Sequence, residues 1–234
     1  MRDCTVSFDS DTYPYERVMT GYNRFSGAEQ IPYKILMYLM DMADKNGYVP
    51  KDDNERARVR LAKYLWYDSE NPLAQPLPTD EQKRSLLYDG NDAVLDKRQL
   101  ASTHPKGYRL FAQKYWTQSE LEAKVLLKCY TGRVLPTSPY KASIGLTFEI
   151  IINCAMDTTT RTTAYSKIYA MECALIEALH GVNIAGVGTV EFNRYSHPEA
   201  GSRAYADEGT HISRVINMSI DWQESREDAV QEYL

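Results

Sequence analysis

Cysteine is scarce and unpatterned: Cys4, Cys129, Cys154 and Cys173 are the only four in 234 residues, and no two form a CxxC pair. That spacing shows no pairing pattern. Cys154 and Cys173 sit in apolar patterns, where thiols act as small hydrophobes, so the chain is expected to be reduced and intracellular. Positive charge is short as well. Lys and Arg total 27 against 32 Asp and Glu, a formal net charge of −5, whereas a protein that works by broad neutralisation of phosphate normally shows a basic surplus or a basic face. No apolar run nears the ~18 residues that cross a bilayer. Met1 to Asp11 is polar and acidic, without an apolar h-region, so no signal peptide is expected and the chain reads as soluble. There is no Gly-x-Ser-x-Gly elbow, no carboxylate pair at convincing spacing and no Cys beside a His. We therefore assign no catalytic residue, no cofactor and no metal ligand, and expect a non-enzyme.

Phenylalanine is rare too, with 5 copies, but tyrosine reaches 18. A tyrosine joins a large apolar body to a polar tip, which suits surfaces exposed in a monomer and covered in a complex. Tyr13, Tyr15, Tyr22, Tyr130, Tyr140, Tyr195 and Tyr205 are thus candidate subunit-contact positions. The plainer alternative is that half-buried tyrosines pack at sheet edges.

A chain of this length buries roughly 70–75% of the surface of its unfolded form, so it needs no disulfide or metal staple. Residues 1–29, with Tyr13-Pro14-Tyr15, Gly21 and Gly27, read as an extended arm. A helix is expected from Pro32 to Lys45, with Ile31, Ile35, Leu39 and Met42 on one stripe and Asn46-Gly47 as its stop. Residues 47–105 are charged and broken by Asn71-Pro72 and Pro76-Leu77-Pro78. They read as an insertion decorating the main fold, with short helices near Leu61–Trp66 and after Thr79. Strand patterns follow near 108–115 and 125–130, then a protruding loop over 132–143. In 144–154, Ile144, Leu146, Phe148, Ile150 and Ile152 alternate with Gly145, Thr147, Glu149, Ile151 and Asn153, a period of two with one face in a core. Ala164, Ile168, Met171, Leu175 and Leu179 predict a helix over 162–180, capped by the oxygens of Asp157–Thr160 and stopped by Gly181. A strand around Val190, a polar loop over 196–210 and a closing strand through Ile216, Met218, Ile220 and Trp222 complete a domain spanning 30–222. Residues 223–234 form a charged tail. The fold class is α+β: a mostly antiparallel sheet with two main helices packed on one face, plus a long irregular insertion at 47–105.

Three clusters invite chemistry. Gly181, Gly186 and Gly188 suggest a nucleotide loop, but phosphate cradles lie between a strand and a helix N-terminus. Here the glycines follow a helix and precede a strand, so a helix stop and tight turn are expected. His197, Glu199, Asp207, Glu208 and His211 lie in one polar loop, too loosely spaced for a metal site with oriented ligands. Arg56, Arg58, Arg60 and Lys63 could touch nucleic acid, but Asp52, Asp53 and Glu55 precede them, which favours a solvated helix face.

The order of these elements resembles the tail terminator and head–tail completion (neck) proteins of tailed bacteriophages. The resemblance rests on Gly107-Tyr108-Arg109-Leu110-Phe111-Ala112-Gln113 before the sheet and on Phe148-Glu149-Ile150-Ile151-Ile152 before a Thr-rich turn. It continues in Ala174-Leu175-Ile176-Glu177-Ala178-Leu179 before a glycine turn, then in Asp207-Glu208-Gly209 and the closing strand. It covers about residues 30–46 and 107–222. Such a likeness implies a structural virion protein, assembled in the host cytoplasm. It would form a homo-oligomeric ring, commonly a hexamer, that caps the tail tube and joins it to the neck. Its partners would be further copies of itself, the tail tube and neck or connector proteins, with genome DNA passing through the channel unbound and no membrane. A head-side neck or connector ring would need the same geometry. A DNA-binding, replication-associated domain and a metal-dependent hydrolase are alternatives of other classes.

Overall fold

A computed structural model of the chain describes residues 28–41, 49–88, 106–114, 125–138, 141–153, 166–193, 200–206 and 211–223. The arm up to residue 27, the tail from 224 and the Asp157–Thr160 cap lie outside them.

Among the described residues four α-helices and seven strands make an α+β fold. Helix α1, Ile31–Met40, carries Pro32 in its first turn, where the missing N–H costs nothing. It buries Ile31, Ile35, Leu36, Leu39 and Met40. The helix ends at Met40, short of the expected Lys45, and Arg58 donates at 2.9 Å to both the Tyr38 and Asp41 carbonyls at that end. That guanidinium satisfies groups the last turn leaves open.

Helix α2, Asp53–Trp66, lies in the stretch read as an irregular insertion. Asp52 caps it by accepting from the Glu55 amide at 2.8 Å, and Asp53 and Glu55 in the first turn suit the helix dipole. Ala57, Leu61, Ala62 and Leu65 form its inner stripe and belong to the same core as α1 and the sheet. The sheet therefore carries a third substantial helix beyond the two expected. Helix α3, Asp80–Ser85, starts with the Thr79/Gln82 capping box. Helix α4, Lys167–Leu179, buries Ile168, Met171, Ala174, Leu175, Ala178 and Leu179. His180 ends it, and Gly181 follows at φ 75°, the glycine stop that the sequence predicts.

The strands are β1 Leu110–Phe111, β2 Val125–Ser138, β3 Lys141–Asn153, β4 Val182–Ile184, β5 Gly188–Glu191, β6 Gly201–Ala206 and β7 His211–Gln223. Their order is β1-β2-β3-β7-β5-β4, with β6 also on β7. Every pairing is antiparallel except β1 with β2. The rungs Ile144↔Ile220, Leu146↔Met218 and Phe148↔Ile216 stack apolar pairs on the face that the helices cover. Each such side chain contributes about 1.5–3 kcal/mol by burial.

Two loops expected from the sequence are instead strands. Residues 132–138 and 141–143 extend the paired strands β2 and β3, with register shifts after Thr131 and Pro136. Pro136 fits because, among the described strands, only β1 lies on the outer side of β2, and it reaches just Leu127 and Lys128. The 196–210 loop contains β6, paired from Gly201↔Asn217 to Ala206↔Ile212. Between α4 and β5 the glycine-rich stretch is a tight hairpin. A side chain at Gly188 (φ 107°) would meet the Asp221 carbonyl at 3.0 Å, so glycine lets this turn pack closely on β7.

Candidate interaction surfaces

Alternation along the strands gives the sheet a second face, and its rows differ from one end to the other. Leu126↔Ile151 begins the first row and packs with Tyr108, Phe111 and Tyr88 in a small separate cluster. Tyr88 meets Tyr108 edge-on at 5.3 Å. In the next row Lys128 lies opposite Glu149, with Nζ 3.8 Å from the carboxylate, and Val215 follows. The third row runs Tyr130, Thr147, Asn217 and Gly201. Thr147 donates to the Asn217 side-chain oxygen at 3.1 Å. All three side chains in that row are half-buried. Gly132, at the bulge, approaches this row so closely that a Cβ there would lie 3.1 Å from the Thr147 hydroxyl. Beyond the row, Thr131 to Val134 are exposed. One face of one sheet thus passes from aromatic packing to a polar strip.

Edge chemistry limits how that strip can be used. The bulge after Thr131 and the proline at 136 both interrupt the β2 ladder. Such features blunt an edge against further strand pairing. A neighbour is therefore better met by the face than by the outer edge of β2.

The basic run is not a free cationic stripe. Arg58 is 8% exposed, caps α1 and lies 4.5 Å from the Tyr38 ring centroid. Arg60 pairs with Glu177 of α4, Arg56 pairs with Asp53, and Lys63 donates to the Leu73 carbonyl at 3.0 Å. Burial lowers the Lys63 pKa. Tyr38 donates to Asn54 at 2.8 Å, and Asn54 donates to the Ala178 carbonyl at 2.5 Å, so one side chain joins α1, α2 and α4. Arg58 and Lys63 thus act inside the fold, whereas Arg56 and Arg60 pair at its surface.

Between α2 and α4 lies an open cleft of about 330 Å³, lined by Pro50, Asp53, Arg56, Val59, Arg60 and Glu177. The sequence gives no signal for it beyond the arginine run, because Glu177 arrives from 117 residues away. A further polar junction joins the approach to β1 with the end of α2. Arg109, 3% exposed, makes two bonds of 2.8 Å to the Asp68 carboxylate and one of 2.8 Å to the Leu65 carbonyl.

Of the tyrosines singled out, Tyr130 stands in the polar row, 5.9 Å from Lys114 Nζ, and Tyr205 lies in β6 opposite Ser213. Tyr13, Tyr15, Tyr22, Tyr140 and Tyr195 lie outside the described residues, as do His197, Glu199, Asp207 and Glu208. His211 opens β7 opposite Asn153. Among the described residues no group of His, Cys, Asp and Glu could hold a metal ion. No helix among them is long and apolar enough to cross a membrane. Burial pushes the Cys129 thiol well above its ordinary value, so it behaves as a core side chain.

Comparison with known proteins adds three findings. A family model described as YomW matches residues 59–213, from within α2 into β7. A stretch of 94 residues is 30% identical to cingulin-like protein 1 of Homo sapiens, covering 38% of this chain and 6% of that protein. The chain therefore spans only a small part of that relative's length. No solved structure matches the chain.

Proposed function

Since the chain belongs to the YomW family, whose members are phage-associated, we propose that it is a structural virion protein forming a ring at the head–tail junction. In this reading it caps the tail tube and joins it to the neck, as a tail terminator does, and carries no catalytic residues. The observation that supports it most is the divided sheet. Helices cover one face, while the other offers the half-buried polar row Tyr130–Thr147–Asn217. A ring needs two different surfaces of one subunit to meet head to tail. The polar row supplies one, and the helix layer with its charged cleft supplies the other.

The engagement of Arg58 and Lys63 within the fold weighs against a DNA-binding role. A net charge of −5 suits a channel through which a genome slides without being held. Native mass spectrometry of the purified chain tests the ring, and electron microscopy after mixing with tailless heads or bare tail tubes tests its place. A closed ring on tube ends is expected. A twofold dimer that binds neither structure would refute the reading.

A further inference from the structure

The cleft between α2 and α4 has a pattern. Val59 and Pro50 provide apolar contact, and Arg56 and Arg60 stand on either side of Val59 along the helix. Each arginine engages one acidic partner through a single guanidinium nitrogen, at the exposed rim. A guanidinium has five N–H donors and two flat faces. Such a site suits a segment in which aromatic rings are flanked by carboxylates, since rings stack on guanidinium and carboxylates take its donors. This fold already stacks cations on rings elsewhere, with Arg58 on Tyr38 at 4.5 Å and Arg214 on Tyr169 at 5.3 Å.

The matching segment lies in the same chain. Asp9 and Asp11 precede Tyr13-Pro14-Tyr15, and Glu16 follows it. The proline restricts the backbone and so lowers the entropy lost on docking. Residues 1–27 precede the first described residue, and that length spans up to about 90 Å when extended. A domain of this size has a radius of gyration of about 17 Å, so the segment can reach an adjoining copy.

We propose that the Asp9–Glu16 segment of one copy docks in the α2–α4 cleft of a second copy. The proposal rests on the ring reading for the presence of that second copy. It assigns the cleft as the receiving surface for an acidic, tyrosine-rich peptide.

The test uses the full chain with a photoreactive phenylalanine analogue in place of Tyr13, mixing isotope-labelled and unlabelled copies before illumination. Cross-links between labelled and unlabelled copies, landing on residues 49–60, are expected. Val59→Asp should lower their yield about tenfold or more, equivalent to at least ~1.4 kcal/mol of docking energy, with an unchanged far-ultraviolet spectrum as the folding control. Asp11→Lys, which leaves the cleft intact, should lower the yield as well. Cross-links within single copies only, cross-links to other peptides, or a yield that neither variant moves would each overturn the proposal. Native mass spectrometry on the same samples separates the two ideas. A ring without these cross-links removes the docked segment alone, whereas loss of both removes the assembly reading too.

Discussion

The two faces of the sheet come from the same strands and the same alternation, yet they are built for different neighbours. On the helix side, Phe148, Leu146 and Ile144 meet β7 partners and the stripes of α1, α2 and α4 in one continuous cluster. On the other side the same strands present Gly145, Thr147 and Glu149, and among the described residues the apolar cluster is the small one around Tyr108 and Phe111. A period of two marks which residues share a face. It does not state what covers the second one. The helix face is a packing solution, and the polar face sets half-buried side chains beside buried Lys128 and Ser219.

Substitutions can break that contrast, and the largest effect belongs to the helix side. Phe148→Ala should cost about 3–5 kcal/mol in urea denaturation, since it opens a cavity in the centre of the fused core. A loss under about 1 kcal/mol would mean that the helices pack loosely on the sheet. Next comes Asp68→Ala, which leaves the buried Arg109 guanidinium without its two-pronged acceptor. Its expected cost is about 3 kcal/mol.

Alkaline pH sharpens the comparison further. Burial raises the Cys129 thiol above its ordinary value of 9.0, and burial, partly offset by Arg60, raises Tyr64 above 10.0. The folded chain keeps protons that the unfolded chain releases. Stability should therefore be full below pH 9 and fall above it, by about 1.4 kcal/mol per pH unit for one group. Lys63, held below its ordinary 10.5 by burial, opposes this trend because its unfolded form binds the extra proton. Denaturation midpoints between pH 8 and 10 should show the fall, and Cys129→Ala should flatten it. On the polar face Thr147→Val removes one hydrogen bond and should cost under about 1 kcal/mol by the same assay. The smallest effect is Arg56→Ala, about 0–0.5 kcal/mol, because its ion pair is exposed.

Legibility in the sequence followed this division. The 144–154 and 215–222 patterns were readable because one face is wholly apolar, and so was the α4 stripe ending at Gly181. Helix α2 was harder to see, since its buried side includes Ala57, Ala62 and a capping Arg58, all weak in hydropathy. The strand run through Pro136 looked like a loop, because a proline is compatible with a strand only where the ladder has an open side, and position within a sheet is not written locally. The α2–α4 cleft depends on Glu177 meeting Arg60, a long-range fact that spacing cannot supply. Composition singles out Tyr130 as a candidate, yet the Thr147–Asn217 bond beside it gave no sequence signal.

Strand β7 pairs with β3 along thirteen registered positions and holds β6 and β5 on its other side. A ribosome emits residues in order, so the central strand of this architecture is the last part of it to emerge. Until residues 211–223 leave the exit tunnel, β3 has the hairpin on one side and an unfilled ladder on the other. A nascent chain in that condition carries a sticky, apolar edge. Shielding of that edge until β7 pairs is the demand this connectivity places on the cell that makes it.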